Sequence, residues 1–384
     1  MTCNRILFIS NLFPNPLQPH RASFSRLQIS ALSELAEVDV VAPVAWTTPG
    51  RREIPSTGRL QGCDVFHPTY WYTPGILRNM YGLFYLASIR KSVMRLVNSQ
   101  SYDVIYASWL YPDGWAAARL AREFNIPLVL NVLGTDANRL SSGTAVTEKS
   151  LWAIRQSNKT IAVSQALKNH LVGLGANPEK IEVVYNGVDK VTFRPMDRMK
   201  MRHQLGAAKN VRLVLFVGNL LESKGLRELA HAFGELANKK ANGDIELIII
   251  GRGSFEQKMR SLLATFGVEK RVRFLGVLPQ PEIAKWMNAC DVFCLPSYAE
   301  GQPNVLIEAL ACGARIVSTT VGGIPELDLG RGNMRLVEPR SVPLLASALE
   351  ASLLIGSPPV EGYSVSSWQE NAQQLRHIFD VLSF

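Results

Sequence analysis

Short apolar runs alternate with longer amphipathic stretches along this chain, and the alternation runs through twice. In the first series the pattern predicts strands over 5–10, 38–42, 103–107, 127–131, 159–162 and 181–184. Helices are predicted between them, over 23–36, 77–97, 114–123, 147–155 and 164–174. In the second series strands are predicted over 212–217, 245–250, 272–274, 292–295 and 315–318, with helices over 224–238, 255–266, 280–287, 303–311, 343–354 and 368–382. Runs such as Leu247-Ile248-Ile249-Ile250 are apolar on both faces, the pattern of a parallel sheet covered by helices on each side. The fold class is therefore α/β, with two doubly wound, Rossmann-like domains of similar size. The turn Asn186-Gly187-Val188-Asp189 and a charged, proline-containing stretch over 193–200 place the boundary near residue 190, giving domains 1–190 and 191–367. The last helix follows a loop rich in Gly, Pro and Ser (356–367), and that loop lets segment 368–384 cross back onto the first domain.

Composition narrows the class of function. With 47% hydrophobic and 19% charged residues, the 384-residue chain has material for real cores, which excludes a disordered one. No apolar stretch reaches the ~18 residues of a membrane span, and residues 1–9 lack the form of a secretory signal. Five cysteines, an odd number without metal-ligand spacing, point to buried thiols in a reducing, cytoplasmic compartment. Lys and Arg outnumber Asp and Glu by 41 to 32, a net charge of +9 that calls for an anionic partner. No dense basic run with interleaved stacking aromatics occurs, so nucleic acid is set aside in favour of phosphorylated small molecules or an acidic membrane surface. The surplus is concentrated in 51–100, where seven basic residues face Glu53 and Asp64 alone. There the helix over 77–97 mixes Arg78, Arg90, Lys91 and Arg95 with apolar and aromatic residues, as an interfacial helix does. The alternative is an amphipathic helix packed on its own sheet.

Ligands of open parallel sheets bind beyond the carboxyl ends of the strands, so the strand-to-helix loops should hold the chemistry. Two such domains are expected to face each other across a cleft. Four loops of the second series carry glycine. Tyr298-Ala299-Glu300-Gly301-Gln302-Pro303-Asn304-Val305-Leu306-Ile307-Glu308 follows a strand and opens a helix. Gly301 permits close backbone approach, Pro303 suits a helix start, and the amides of Asn304 and Val305 form an anion-binding helix end. Glu300 and Glu308 can accept hydrogen bonds from sugar hydroxyls. The second loop is Gly218-Asn219-Leu220-Leu221-Glu222-Ser223-Lys224-Gly225, where Lys224 can neutralise a diphosphate. The others are Gly251-Arg252-Gly253 and Gly322-Gly323-Ile324-Pro325-Glu326. Read one at a time, each is an ordinary loop with a surface Lys or Glu. Four along one sheet edge favour a binding site.

The ordered set resembles the nucleotide-sugar half of the retaining glycosyltransferases of family 4, which have the GT-B fold. Segments of the first half resemble that family too: Phe13-Pro14-Asn15-Pro16, Arg21-Ala22-Ser23-Phe24, Tyr111-Pro112-Asp113-Gly114, Gly134-Thr135-Asp136 and Asn186-Gly187-Val188-Asp189. The resemblance implies a nucleotide diphosphate sugar as donor, with a UDP or GDP base, and a hydroxyl acceptor on a lipid-linked or surface glycan. It implies catalytic roles for Glu300, Lys224 and Asp136. Donor contacts would come from Glu308, Gly218, Asn219, Gly251, Arg252, Gly301, Asn304, Val305 and Leu306. Neither a metal nor another cofactor is implied, and the His and Cys spacings show no ligand cluster. Two positions depart from the family. Asn219 stands where many members have Arg, leaving Arg252 or another residue to supply a second cation. Ser108 ends Tyr106-Ala107-Ser108, where many members have His. His20, His67 and His170 read as solvated or satisfied histidines and do not replace it. A GT-B-like nucleotide-sugar epimerase and a catalytically weak binding subunit of a glycan-assembly complex are the alternatives.

Overall fold

Parallel strands cannot be joined by tight turns, so each pair needs a crossover, and the amphipathic stretches supply it as helices. The computed structural model describes residues 2–19, 21–239, 244–328, 330, 332–355 and 363–382. His20, the Arg78 side chain and residues 356–362 of the loop before the last helix lie outside that description. The chain divides into two units, Met1–Gly187 with Trp368–Phe384, and Val188–Ser367. The division falls at Val188 and not after residue 190, because the Val188 amide donates to the Ser366 carbonyl at 2.9 Å.

The strands of the first unit are β1 (Arg5–Ile9), β2 (Glu37–Val41), β3 (Val44–Ala45), β4 (Thr57–Leu60), β5 (Cys63–Phe66), β6 (Thr69–Tyr70), β7 (Val104–Ser108), β8 (Leu128–Val132), β9 (Lys159–Ala162) and β10 (Ile181–Val183). Eight form one sheet in the order β10-β9-β8-β7-β1-β2-β5-β4, while β3 and β6 pair separately. All neighbours in the large sheet are parallel except β4, which runs against β5. Alternation along β1 sends Leu7 and Ile9 to one core, with Tyr85, Ile89 and Val93 of the helix Tyr81–Ser99. It sends Ile6 and Phe8 to the opposite core, with Ile29 and Leu32. The last helix, Trp368–Leu382, completes that second core. Its Trp368, Ala372, Leu375 and Phe379 recur every three or four residues and are buried, and the Phe379 ring lies 5.3 Å from that of Tyr106.

The second unit holds β11 (Arg212–Val217), β12 (Ile245–Ile250), β13 (Val272–Phe274), β14 (Val292–Leu295), β15 (Ile316–Thr319) and β16 (Met334–Val337), ordered β13-β12-β11-β14-β15-β16 and parallel throughout. Chain order reverses between β11 and β14, which makes the space beyond their carboxyl ends the expected ligand crevice of this sheet.

Several elements differ from the sequence reading. The hairpin β4–β5 was missed, although Gln61 and Gly62 carry the two positive φ angles, 49° and 88°, of a two-residue hairpin turn. Part of the supposed linker over 193–200 is helical, since Arg198–Gln204 is a helix with Met201 and Arg202 buried. The basic helix begins at Tyr81, not residue 77. Its apolar face is used in the core, and Arg90 is ion-paired with Glu123. Exposed apolar side chains lie instead just before it: Trp71, Ile76 and Leu77, with Trp46 stacked on Trp71 at 5.3 Å. Among the described residues no helix is long and apolar enough to cross a membrane.

Because Phe379 is fully buried in the first unit's core, Phe379→Ala is expected to destabilise that unit by about 3–5 kcal/mol. Chemical denaturation followed by hydrogen exchange should show the loss in Met1–Gly187 and not in Val188–Ser367. An unchanged midpoint would mean that the last helix contributes nothing to this core.

Candidate active site

Four loops leave the carboxyl ends of β11, β12, β14 and β15, and they touch backbone to backbone. A Cβ added to Gly251, whose φ is +135°, would lie 1.9 Å from the carbonyl oxygen of Gly218. The same is true of Gly225 (φ +67°) against the carbonyl of Pro296, and of Gly322 (φ +55°) against that of Glu300. Side chains at these positions would force the loops apart. Hydrogen bonds lace the loops where the glycines let them meet: Gly218 N to Ile250 O at 3.0 Å, Leu220 N to Arg252 O at 3.0 Å, and Gly323 N to Gly301 O at 2.9 Å.

The loops after β11 and β14 flank the point where strand order reverses. Lys224 sits in a 3₁₀ turn, Glu222–Lys224, and not at a helix start as the sequence suggested, because Gly225 adopts the left-handed conformation before the helix Leu226–Ala237 begins. The Tyr298 amide donates to the Ser223 carbonyl at 2.9 Å, which fixes one loop on the other. One residue further along the first loop and two along the second, Lys224 Nζ donates to Glu300 Oε1 at 2.6 Å. Ser297 Oγ donates to the same oxygen at 2.6 Å, and Ser297 is itself held by Thr319 Oγ1, which donates to its carbonyl. Lys224 and Glu300 are both half-buried.

The helix Asn304–Ala311 starts after Pro303 without a side-chain cap. Of the three residues expected to offer amides there, Leu306 already donates to the Pro303 carbonyl at 3.0 Å. Asn304 Oδ1 is buried without a hydrogen-bond partner, an orphaned acceptor at the helix start. One turn on, the half-buried Glu308 carboxyl has no hydrogen-bond partner among the described residues. Burial first, and the nearby Asp189 carboxylate second, push it up to about 7. Asn219 and Arg252 are exposed. A Cβ on Gly276 would lie 3.6 Å from Arg252 Nε, so this guanidinium runs beside the loop after β13.

Asp136 belongs to the other unit, where its carboxylate accepts from the amides of Leu110 (3.1 Å), Leu133 (3.1 Å) and Gly134 (2.9 Å). Burial raises it to about 6 while those amides oppose the rise. Sequence reasoning missed Asp113 as a residue of similar kind. It accepts from Asn11 N, Asn11 Nδ2 and Tyr85 Oη at 2.6, 2.9 and 2.6 Å, which ties the loop after β1 to that after β7. The signal available was an acid within a proline- and glycine-flanked loop at a strand end. Ser108 is fully buried, and its Oγ accepts from Asn131 Nδ2 at 3.1 Å. His67 and His170 each contact a backbone carbonyl at 3.1 Å. Among the described residues no three His, Cys, Asp or Glu side chains are grouped so as to hold a metal, and all five cysteines are buried thiols outside any disulfide.

Glu308 offers a direct check on the burial of this site. Its carboxyl has an ordinary value of 4.5 and is raised in the folded state, so the fold binds this proton more tightly than the unfolded chain does. Its contribution is most favourable below about pH 4.5 and is lost as pH rises through about 7. Glu308→Gln should therefore melt higher than the parent at pH 8, with the difference shrinking toward pH 4.5. Equal melting temperatures at pH 8 would contradict the raised carboxyl.

Comparison with known proteins agrees with this architecture. Residues 211–354 match the profile described as glycosyl transferases group 1, and residues 28–191 match glycosyltransferase family 4. The chain is 27% identical to the putative teichuronic acid biosynthesis glycosyltransferase TuaC of Bacillus subtilis, over 90% of this chain and 88% of that one. Among solved structures, it is similar to sucrose-phosphate synthase from Thermosynechococcus elongatus, with a TM-score of 0.77 and 18% identity over 99% of this chain and 96% of the other. It is also similar to Anabaena HepE, solved in complex with UDP, with a TM-score of 0.70 and 21% identity over 99% and 96%. Both halves of the sequence thus match glycosyltransferase profiles, and the fold is GT-B: the chain belongs to glycosyltransferase family 4 and is a glycosyltransferase.

Proposed function

We propose that the chain transfers a sugar, with retention, from a UDP- or GDP-sugar to a hydroxyl of a lipid-linked or surface glycan, and that it does so without a metal. The observation that carries this reading is the Lys224–Glu300 pair at the strand-order reversal. The two charges neutralise each other. A donor diphosphate takes the place of Glu300 at Lys224, and the sugar hydroxyls then donate to the released carboxylate. Each group exchanges one partner for another, so neither is left buried and unpaired. The uncapped helix start at Asn304 and Val305 supplies further positive potential for the diphosphate. The Glu308 carboxylate accepts from ribose hydroxyls. Gly218, Gly251 and Gly301 keep side chains out of the donor's way, and Asn219 and Arg252 border it.

In the transfer itself the bond from the anomeric carbon to the diphosphate oxygen breaks, and its electron pair leaves with the diphosphate. The acceptor oxygen attacks from the same face, and its proton passes to the departing phosphate oxygen. The protein's contribution is positioning and stabilisation of the leaving charge. Asp136, committed to three amides, orders the loop on the acceptor side. HepE, solved with UDP-glucose, and TuaC, named for teichuronic acid biosynthesis, support this choice of donor and acceptor classes.

Incubation with UDP- and GDP-sugars in the presence of EDTA is expected to release nucleoside diphosphate with one donor. Lys224→Ala should lower kcat about 100-fold, the scale of losing one contact to transition-state charge, with the circular dichroism spectrum unchanged. Release that requires added Mg²⁺ would overturn the metal-free reading. An epimerised free sugar would identify an epimerase, and binding without turnover a binding subunit.

We also propose that the protein works at the cytoplasmic face of a membrane, bound peripherally. Trp46, Trp71, Ile76 and Leu77 present apolar surface in a region with a basic surplus, the combination that holds a protein at acidic lipid. This moves the contact from the basic helix to the segment before it. Sedimentation with phosphatidylglycerol vesicles, but not phosphatidylcholine vesicles, is expected, and Trp71→Ser with Ile76→Ser should abolish it. Equal indifference to both vesicle types would overturn the proposal.

A further inference from the structure

The edge of the first unit's sheet carries a cavity of about 420 Å³ that the proposed transfer does not use. This size falls within the range of small-molecule sites. Its wall is made largely of Pro14, Pro16, Pro19, Pro55, Leu60 and Val65. The wall is preformed in two ways. Proline fixes its own φ, and the buried Asn15 folds the proline loop on itself, its Oδ1 accepting from the amides of Leu17 and Gln18 at 3.1 Å each. The floor is held from behind. Arg51 donates to the carbonyls of Ile54 and His67, and His67 Nδ1 donates to the Ala42 carbonyl at 3.1 Å. Burial lowers the His67 imidazole below its ordinary value and keeps it neutral.

The charge in this cavity therefore comes from two residues, Arg26 and Arg59, which also line it. Neither makes an ion pair or a side-chain hydrogen bond among the described residues. Asp64 stands opposite Arg59 in the β4–β5 register without pairing with it. A small anion alone would leave the proline wall unfilled. Arg26 is half-buried and Arg59 exposed, and a neutral hydrocarbon alone would leave these two guanidinium groups, whose planar forks suit phosphate oxygens, with water as their only partner.

We propose that this cavity binds an amphiphile, a phosphate monoester carried on a hydrocarbon chain, with the chain against the prolines and the phosphate at Arg26 and Arg59. The inference does not depend on the donor reading, because its test measures binding alone. Calorimetric titration of the full chain with decyl phosphate, below its micelle concentration, should show saturable binding of one molecule. The affinity should exceed that for inorganic phosphate or decanol at least tenfold. Arg26→Ala with Arg59→Ala, measured beside each single variant, should lower it at least tenfold at an unchanged melting temperature. Equal binding of decanol would reduce the site to an apolar pocket, and equal binding of inorganic phosphate to an anion site; either result overturns the proposal. So does the absence of saturable binding, or full affinity in the folded double variant.

Discussion

The site depends on how closely backbone can approach backbone at the end of a parallel sheet. Strands buried on both faces carry mostly apolar side chains, so the chemistry is displaced to their ends and to the loops beyond them. In the second unit those loops meet at distances no Cβ would allow: Gly251 on Gly218, Gly225 on Pro296, Gly322 on Glu300. The glycines are required by contact as much as by their positive φ values. Their closeness makes one continuous surface from four separate connections. Lys224 and Glu300, far apart in sequence, become hydrogen-bonded neighbours because Ser223 and Tyr298 are already joined through the backbone.

The acids of the two units differ in their hydrogen bonding. In the first unit Asp113 and Asp136 each accept three hydrogen bonds from fixed protein donors, so they stitch loops together and keep little capacity for a ligand. In the second unit Glu300 is held through one oxygen, by Lys224 and Ser297, and Glu308 is held through none. A carboxyl left without donors in a half-buried place, and raised toward neutral pH by that burial, is a cost that structure alone does not explain. Asn304 Oδ1, buried and unpartnered nearby in the chain, is of the same kind. Unused acceptor capacity sits where the proposed hydroxyl donors would arrive.

Much of this was legible in the sequence, for identifiable reasons. Core strands such as Arg212–Val217, Ile245–Ile250 and Val292–Leu295 were read at their actual bounds, because short apolar runs bounded by polar, glycine or proline residues have few other fates. The last helix was read from its three-to-four spacing. The β4–β5 hairpin was not, since Thr57, Gly58 and Arg59 are exposed and lack apolar alternation. Nor was the helix Arg198–Gln204, whose first turn fell in the charged stretch read as linker and which buries Arg202. Its guanidinium is sheltered by Asp291 and by the carbonyls of Ala208, Lys209, Val211 and Ala289, partners no local pattern reveals. The loops were legible as glycine-bearing, but the pairing of Lys224 with Glu300 is a tertiary fact. So is the commitment of Asp136 to backbone amides.

The two departures from the family can now be weighed physically. Ser108 is sealed at the end of β7, with its hydroxyl engaged by Asn131 and its carbonyl by Ser10. A serine hydroxyl carries no charge, so the position is neutral in this chain at any working pH. Asn219 is exposed and uncharged, and the guanidinium of Arg252 lies beside Gly276, along the loop after β13. Arg252 approaches the Asn219 loop through its carbonyl, bonded to Leu220 N, and not through its charge. With Asn219 uncharged, Lys224 and the uncapped helix start at Asn304 carry the positive potential of the proposed diphosphate site. Such a site gains from holding its lysine against Glu300 until a donor arrives, because the pair fixes the ammonium in place and leaves it no other partner to release.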